Sequence, residues 1–248
     1  MNELVDDPWT RWRGLTAARI GLARSGASLA TRPTLDLRLA HARARDAVET
    51  ALDVAALQAD LAAAGHQVLC VDSAAPDRRA YKLRPDLGRV LAAGTKLPRV
   101  AADLVVVVAD GLSALAVQRH AVPLLVALRP LLNHWMFAPV VIARQGRVAL
   151  GDAVALAMGT ASVLVLIGER PGLSAPDSMG AYMTWRPAAA TTDAERNCVS
   201  NIRPDGLAPA DAARRVGWLL TEMRRRDAAG VALKDAAGEP ARIAPPIP

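Results

Sequence analysis

The sequence predicts an α/β fold: an open, mostly parallel sheet with helices on both faces, plus an N-terminal helical extension. Three observations carry this. Short apolar runs, such as residues 104–109 and 163–167, alternate with stretches of helical period. Those runs lack alternating polar positions, the pattern of strands buried on both faces. They also empty into turns rich in Gly, Pro and charge, as in Gly168-Glu-Arg-Pro-Gly-Leu-Ser174. In open α/β sheets, ligands are met outside the carboxyl ends of the strands, so Glu169 and Arg170 stand where a ligand is expected.

Taken in order, residues 1–15 form a polar arm with Trp9 and Trp12 and no clear period, which either frays or docks on a partner. Residues 16–66 read as a helical N-terminal region. Thr31 ahead of Pro33 marks a helix start, because Pro is tolerated in a first helical turn. Leu35, Leu39, Ala42, Ala47 and Val48, with Asp46 among them, then give a mostly apolar stripe at helical spacing. A second helix fits 54–64 and stops at Gly65. The α/β domain spans 67–235. It opens with a strand at 67–71, followed by 77–91, helical in parts and broken near Pro85. Next come a strand at 104–109, a long apolar helix at 115–132 and a strand at 139–143. A helix at 148–158 follows the turn at Gly146, then a strand at 163–167 and one more at 182–185. The last helix covers 209–226, with Ala213, Val216, Gly217, Leu220 and Met223 on one face and Arg214, Arg215, Glu222 and Arg225 opposite. Residues 236–248, rich in Ala and Pro, read as a disordered tail.

Composition narrows the function classes. The chain has 248 residues, 52% of them hydrophobic but only 3% aromatic, so Ala, Leu and Val must fill its core. The longest apolar runs fall short of a bilayer span, and no leader pattern opens the chain; a cytoplasmic protein is expected. The net charge of +6 raises a nucleic-acid reading. Against it, the arginines are dispersed through Ala-rich helices beside acidic residues, and few aromatics accompany them to stack on bases. Neither Cys70 nor Cys198 belongs to a Cys-x-x-Cys pair, so a zinc or redox motif is not expected.

Familiar catalytic signatures are missing. There is no Gly-x-Gly-x-x-Gly, no phosphate-binding Gly-x-x-x-x-Gly-Lys-Ser/Thr loop, and the Ser113 turn lacks the second Gly of a nucleophile elbow. His41, His66, His120 and His134 show no metal-ligand spacing and read as structural or solvated. The pattern is that of a binder rather than a self-contained catalyst. Three segments exceed what packing requires. In the first, Asp110 or Ser113 either caps the following helix or meets a ligand. The second is Arg144-Gln-Gly-Arg-Val148, read as opening a helix with backbone N–H groups and two guanidinium groups toward an anion, or as an ordinary basic turn. The third joins 168–174 to the polar stretch 192–204. It is either a ligand floor or a buried polar network in which Glu169 pairs with Arg196 or Arg203 and Cys198 is a small core residue.

These segments resemble a known family. Val108-Ala-Asp-Gly-Leu-Ser-Ala114, Ala143-Arg-Gln-Gly-Arg-Val-Ala-Leu-Gly-Asp152, Ile167-Gly-Glu-Arg-Pro-Gly-Leu-Ser-Ala-Pro-Asp-Ser178 and Asp193-Ala-Glu-Arg-Asn-Cys-Val-Ser-Asn-Ile-Arg-Pro-Asp-Gly206 are similar to the small (light) subunit of ethanolamine ammonia-lyase. So are Tyr81-Lys-Leu-Arg-Pro-Asp-Leu-Gly-Arg89 and Gly230-Val-Ala-Leu-Lys-Asp235, and the likeness runs in order from Thr16 to Asp235. The resemblance implies a Rossmann-like domain that holds adenosylcobalamin at the interface with a large subunit, a barrel carrying the substrate site. It implies a radical conversion of ethanolamine to acetaldehyde and ammonia, begun by homolysis of the cobalt–carbon bond. Carried over by motif, the cofactor contacts fall on Val148, Glu169 and Cys198, with no catalytic residue and no protein metal ligand on this chain. Some cobalamin enzymes place a histidine from Asp-x-His-x-x-Gly on cobalt; none of the four histidines fits, so the cofactor is expected to keep its own base. The resemblance also raises a bacterial microcompartment as the setting, although some relatives carry a longer segment ahead of the shared region. Two other readings stay open here: a stand-alone cobalamin- or nucleotide-binding α/β module without a catalytic role, and a scaffold that only organises other subunits.

Overall fold

The computed structural model describes residues 7–16 and 18–234. Residues 7–16 include a single helical turn, α1 (Trp9–Arg13), and a two-stranded hairpin follows, β1 (Arg24–Ser25) and β2 (Ser28–Leu29). Two helices come next. α2 (Thr31–Glu49) carries Pro33 in its first turn, and α3 (Val54–Ala63) is capped by Asp53, whose side chain accepts from Ala56 N at 3.0 Å. Gly65, at φ +83°, reverses the chain into the sheet.

The sheet has six strands in the order β3-β5-β4-β6-β7-β8. β3 (Val68–Asp72), β5 (Val140–Arg144), β4 (Leu104–Ala109) and β6 (Ser162–Gly168) run parallel. β7 (Met179–Trp185) and β8 (Arg196–Ile202) complete it antiparallel. A short helix, α4 (Arg78–Leu83), follows β3. α5 (Ala114–Leu128), α7 (Pro209–Arg226) and α3 cover one face, where Leu124, Leu128, Val216 and Leu220 pack on Leu104, Val106, Leu164 and Met183. α6 (Leu150–Met158) lies on the other face over Val105, Val107, Val163 and Val165. Gly151 permits that approach: a Cβ there would lie 2.3 Å from Val165 Cγ2. α5 and the turn after it, Ala114–Leu132, have a mean hydropathy of 1.2, long and apolar enough by composition to cross a membrane. Leu124, Leu125, Leu128 and Leu132 there are buried in the core.

Several sequence expectations need correction. The sheet is mixed, because β7 and β8 return as antiparallel neighbours through short connections. The polar stretch 192–204 contains a strand, β8. Val199 and Ile202 meet the core, while Arg196 and Cys198 stand on the opposite face beside Thr184 and Tyr182. Among the described residues no helix covers that second face over β7 and β8, so coverage of both faces holds there for the parallel half alone. On α2, Leu35 and Leu39 are exposed and only Ala40 and Ala47 are buried. Helical spacing separates two faces without stating which one meets the core, and here the smaller side chains allow the closer approach. The hairpin of β1 and β2 also interrupts a region read as wholly helical. The expected tail at 236–248 lies outside the described residues.

Candidate functional site

Two turns at the carboxyl edge of the parallel strands build the site. Gly168 ends β6, and a Cβ there would sit 2.0 Å from Ser113 O and 2.6 Å from Asp110 O. Gly111, at φ +57°, approaches Gly168 O from the other side, and Leu112 N donates to that oxygen at 2.9 Å. Glycine at both positions lets the turns after β4 and β6 interlock.

Glu169 emerges from this lock, half-buried. Its backbone N donates to Ser178 O at 2.9 Å. Ser178 Oγ donates to Glu169 Oε2, and Asn201 N reaches the same oxygen at 3.3 Å. Oε1 lies toward Gly180, where a Cβ would come within 3.0 Å of it and 2.9 Å of the Tyr182 ring. Glycine there lets the Glu169 carboxylate and the Tyr182 ring close over the strand. The connection from Glu169 to Ser178 is fastened by Ser113 Oγ donating to Pro176 O at 2.9 Å and by an Arg119–Asp177 ion pair at 2.8 Å.

Val148 reaches the same place from β5. Gly146 N donates to Asp110 Oδ1 at 3.1 Å, Arg147 N to Gly88 O at 2.8 Å, and Tyr81 Oη to Gly146 O at 3.1 Å. Arg147 stacks over Tyr81 at 4.2 Å and donates from Nη2 to Tyr81 O. The expectation that this turn opens a helix with free N–H groups is therefore corrected. The helix begins at Leu150, and the amides of Gly146 and Arg147 are already committed. Burial pushes the Tyr81 phenol up to about 12 and holds the Asp110 carboxyl above the usual range, with Arg78 opposing the latter.

Val148 and Glu169 line one cavity of about 410 Å³, together with Tyr81, Arg147, Arg170 and Tyr182. No histidine is among its lining residues. Cys198 lies outside that lining, exposed on β8, and joins the site through Tyr182, its register partner. Desolvation raises both the Tyr182 hydroxyl and the Cys198 thiol, which interact. Neither Arg196 nor Arg203 pairs with Glu169. Arg196 pairs with Asp152 and Asp193, and Arg203 with Asp205. Ser113 does not cap α5 with its side chain, since its hydroxyl is spent on Pro176.

Arg147, a candidate from its basic turn, does line the cavity, whereas Tyr81, Gly180 and Tyr182 carry no site signal in the sequence. Tyr182 lies on an expected strand, and only the pairing of β7 with β8 sets it opposite Cys198. The contacts of Tyr81 cross more than sixty residues of sequence and leave no local signal. A second crevice of about 380 Å³ opens across the Asp110 turn, lined by Arg78, Asp110, Arg144 and Gln145. Its guanidinium groups are largely engaged. Arg78 donates to Val48 O at 2.8 Å and Gly111 O at 2.7 Å, and Arg144 forks onto Asp72 at 2.6 and 2.8 Å.

Residues 6–234 match the family model described as ethanolamine ammonia-lyase light chain. The chain is 51% identical over 247 residues to a Ralstonia nicotianae protein named ethanolamine ammonia-lyase small subunit, covering 96% of this chain and 92% of the relative. A Xanthomonas campestris pv. campestris protein of the same name is 51% identical over 244 residues, covering 94% and 90%. One from Pseudomonas syringae pv. tomato is 49% identical over 252 residues, covering 96% and 88%. With its family model matched across nearly the whole length, the chain belongs to the ethanolamine ammonia-lyase light-chain family.

Proposed function

We propose that this chain is the small subunit of an adenosylcobalamin-dependent lyase that converts ethanolamine to acetaldehyde and ammonia, and that it grips one edge of the cofactor at the interface with a large subunit. The observation that carries this reading is the convergence of Val148, Glu169 and Cys198 on Tyr182. Three segments distant in sequence meet at one open strip of sheet. A corrinoid is far larger than a cavity of about 410 Å³, so this chain can hold only a rim of it and another chain must cover the rest.

The donor set suits that rim. Corrin side chains end in amides that donate as well as accept, and a carboxylate oxygen makes the stronger, charge-assisted bond to an amide N–H. Glu169 Oε1 is offered for such a contact because Oε2 is occupied by Ser178 and Asn201. Val148 supplies an apolar wall. Cys198, small and exposed on β8, lets a flat ring approach the sheet closely. Bound adenosylcobalamin supplies the radical chemistry, while these residues bind and orient it. The sequence lacks the Asp-x-His-x-x-Gly pattern, so no histidine of this chain is expected to replace the cofactor's own base.

Equilibrium titration of cyanocobalamin into the two-subunit complex, followed by absorbance, tests the reading. Saturable binding that Glu169→Ala weakens is expected. Absence of binding, or a protein histidine found on cobalt, would contradict it.

A further inference from the structure

The open strip is framed at both ends by contacts that span β7. At one end Glu169 reaches Asn201 of β8. At the other, Asp152 in the first turn of α6 reaches Arg196, the first residue of β8. Asp152 Oδ1 and Oδ2 accept from Arg196 Nη1 at 2.8 and 2.7 Å. Thr184 Oγ1, on the β7 residue in register with Arg196, accepts from the same nitrogen at 2.9 Å. Asp193 Oδ1 takes Nε at 3.2 Å and Thr191 O takes Nη2 at 3.4 Å. The arginine side chain is 3% exposed and the aspartate 8%.

We propose that Asp152 and Arg196 are positioning residues, whose buried pair fixes the spacing between the Val148 side and the Cys198 side of the strip and so sets the width of the ligand site. Val148 lies just ahead of α6, and Asp152 belongs to that helix's first turn. Cys198 follows Arg196 by two residues on the same face of the same strand, about 7 Å along it. The vertical distance of α6 from the sheet is set separately, by the close approach of Gly151 to Val165. What remains free is the lateral offset between α6 and the edge strand β8, and the pair spans that offset. A hydrophobic pair of similar volume would stabilise the fold about as well. An arginine fork with several acceptors adds fixed direction, which is what a rigid rim contact requires.

This proposal rests on the reading that the strip binds cobalamin, and one experiment separates the two. The two-subunit complex is titrated with cyanocobalamin while thermal unfolding is recorded in parallel, for the parent chain, Arg196→Met, and the double variant Asp152→Leu/Arg196→Met. Arg196→Met leaves a buried carboxylate unpaired and is expected to lower both the unfolding midpoint and the affinity. The double variant removes both charges and is expected to regain most of the midpoint, with the dissociation constant still raised about ten- to a hundredfold. Arg196→Lys, which keeps charge but loses the fork, gives an intermediate dissociation constant near the parent midpoint, and it serves if the double variant does not fold. Parent-like affinity in the double variant or in Arg196→Lys overturns the positioning role. A parent complex that binds no cobalamin overturns the underlying reading and this proposal with it.

Discussion

Glu169 divides its carboxylate between two tasks. Oε2 is held by Ser178 and Asn201, which fixes the side chain, and Oε1 lies over Gly180. Glu169→Ala is therefore expected to weaken cobalamin binding by about 1–3 kcal/mol, the scale of a hydrogen bond to a charged group. An unchanged dissociation constant in absorbance titration would show that the carboxylate makes no such contact. Ser178→Ala should weaken binding less, because the charge stays and only its orientation loosens. Gly168 acts on stability instead. Its Cβ would meet two backbone oxygens that cannot move aside, so Gly168→Ala should destabilise the fold by about 3 kcal/mol. A urea midpoint equal to the parent's would refute the interlock of the two turns. The position of Glu169 was legible in the sequence, since an uninterrupted apolar run ending in Gly states where a strand stops. The role of Ser178 was not, because it depends on how the following loop closes back.

At the scale of elements, the buried strands and the amphipathic α7 were readable from one-dimensional patterns. β4 and α7 lie where their apolar runs and helical period place them. β8 was not readable. It sits at the sheet edge with core on one face and the site on the other, so polar residues interrupt its pattern, and Arg196 is satisfied by partners as far back in the chain as Asp152. The helix α6 is the element on which the site most depends. Gly151→Ala would force it off β6, where a Cβ would stand 2.3 Å from Val165 Cγ2. The expected result is a loss of about 1–3 kcal/mol of stability together with weaker cofactor binding, because Val148 moves with the helix. Parent-like values of both in parallel unfolding and titration experiments would contradict this dependence.

For the whole molecule, the net charge is +6, and many of the arginines stand in local pairs such as Arg84–Asp86, Arg214–Asp211 and the clasp of Arg225 and Arg226 on Glu222. Exposed pairs of this kind contribute little to stability. Two buried histidines set a clearer pH response. Burial holds His66 and His120 below their ordinary value of 6.5, outweighing Asp177 in the case of His120. In that range the unfolded chain binds more protons than the folded one, so stability rises with pH and falls as pH drops below about 6.5. The thermal midpoint should decline from pH 7 toward pH 5.5, less steeply in His120→Gln; a flat profile would mean that neither histidine is titrated differently on folding. The α/β class and the alternation of its elements followed from composition and period. The antiparallel return of β7 and β8 is a property of the assembled sheet and has no local signature.

The central claim is that this chain completes a cobalamin-dependent enzyme without catalysing alone. Its most direct test is to mix the chain with a large subunit of the family, adenosylcobalamin and ethanolamine, and to measure acetaldehyde. The expected result is acetaldehyde from the combined subunits and none from either alone; full activity from the large subunit without this chain would contradict the account.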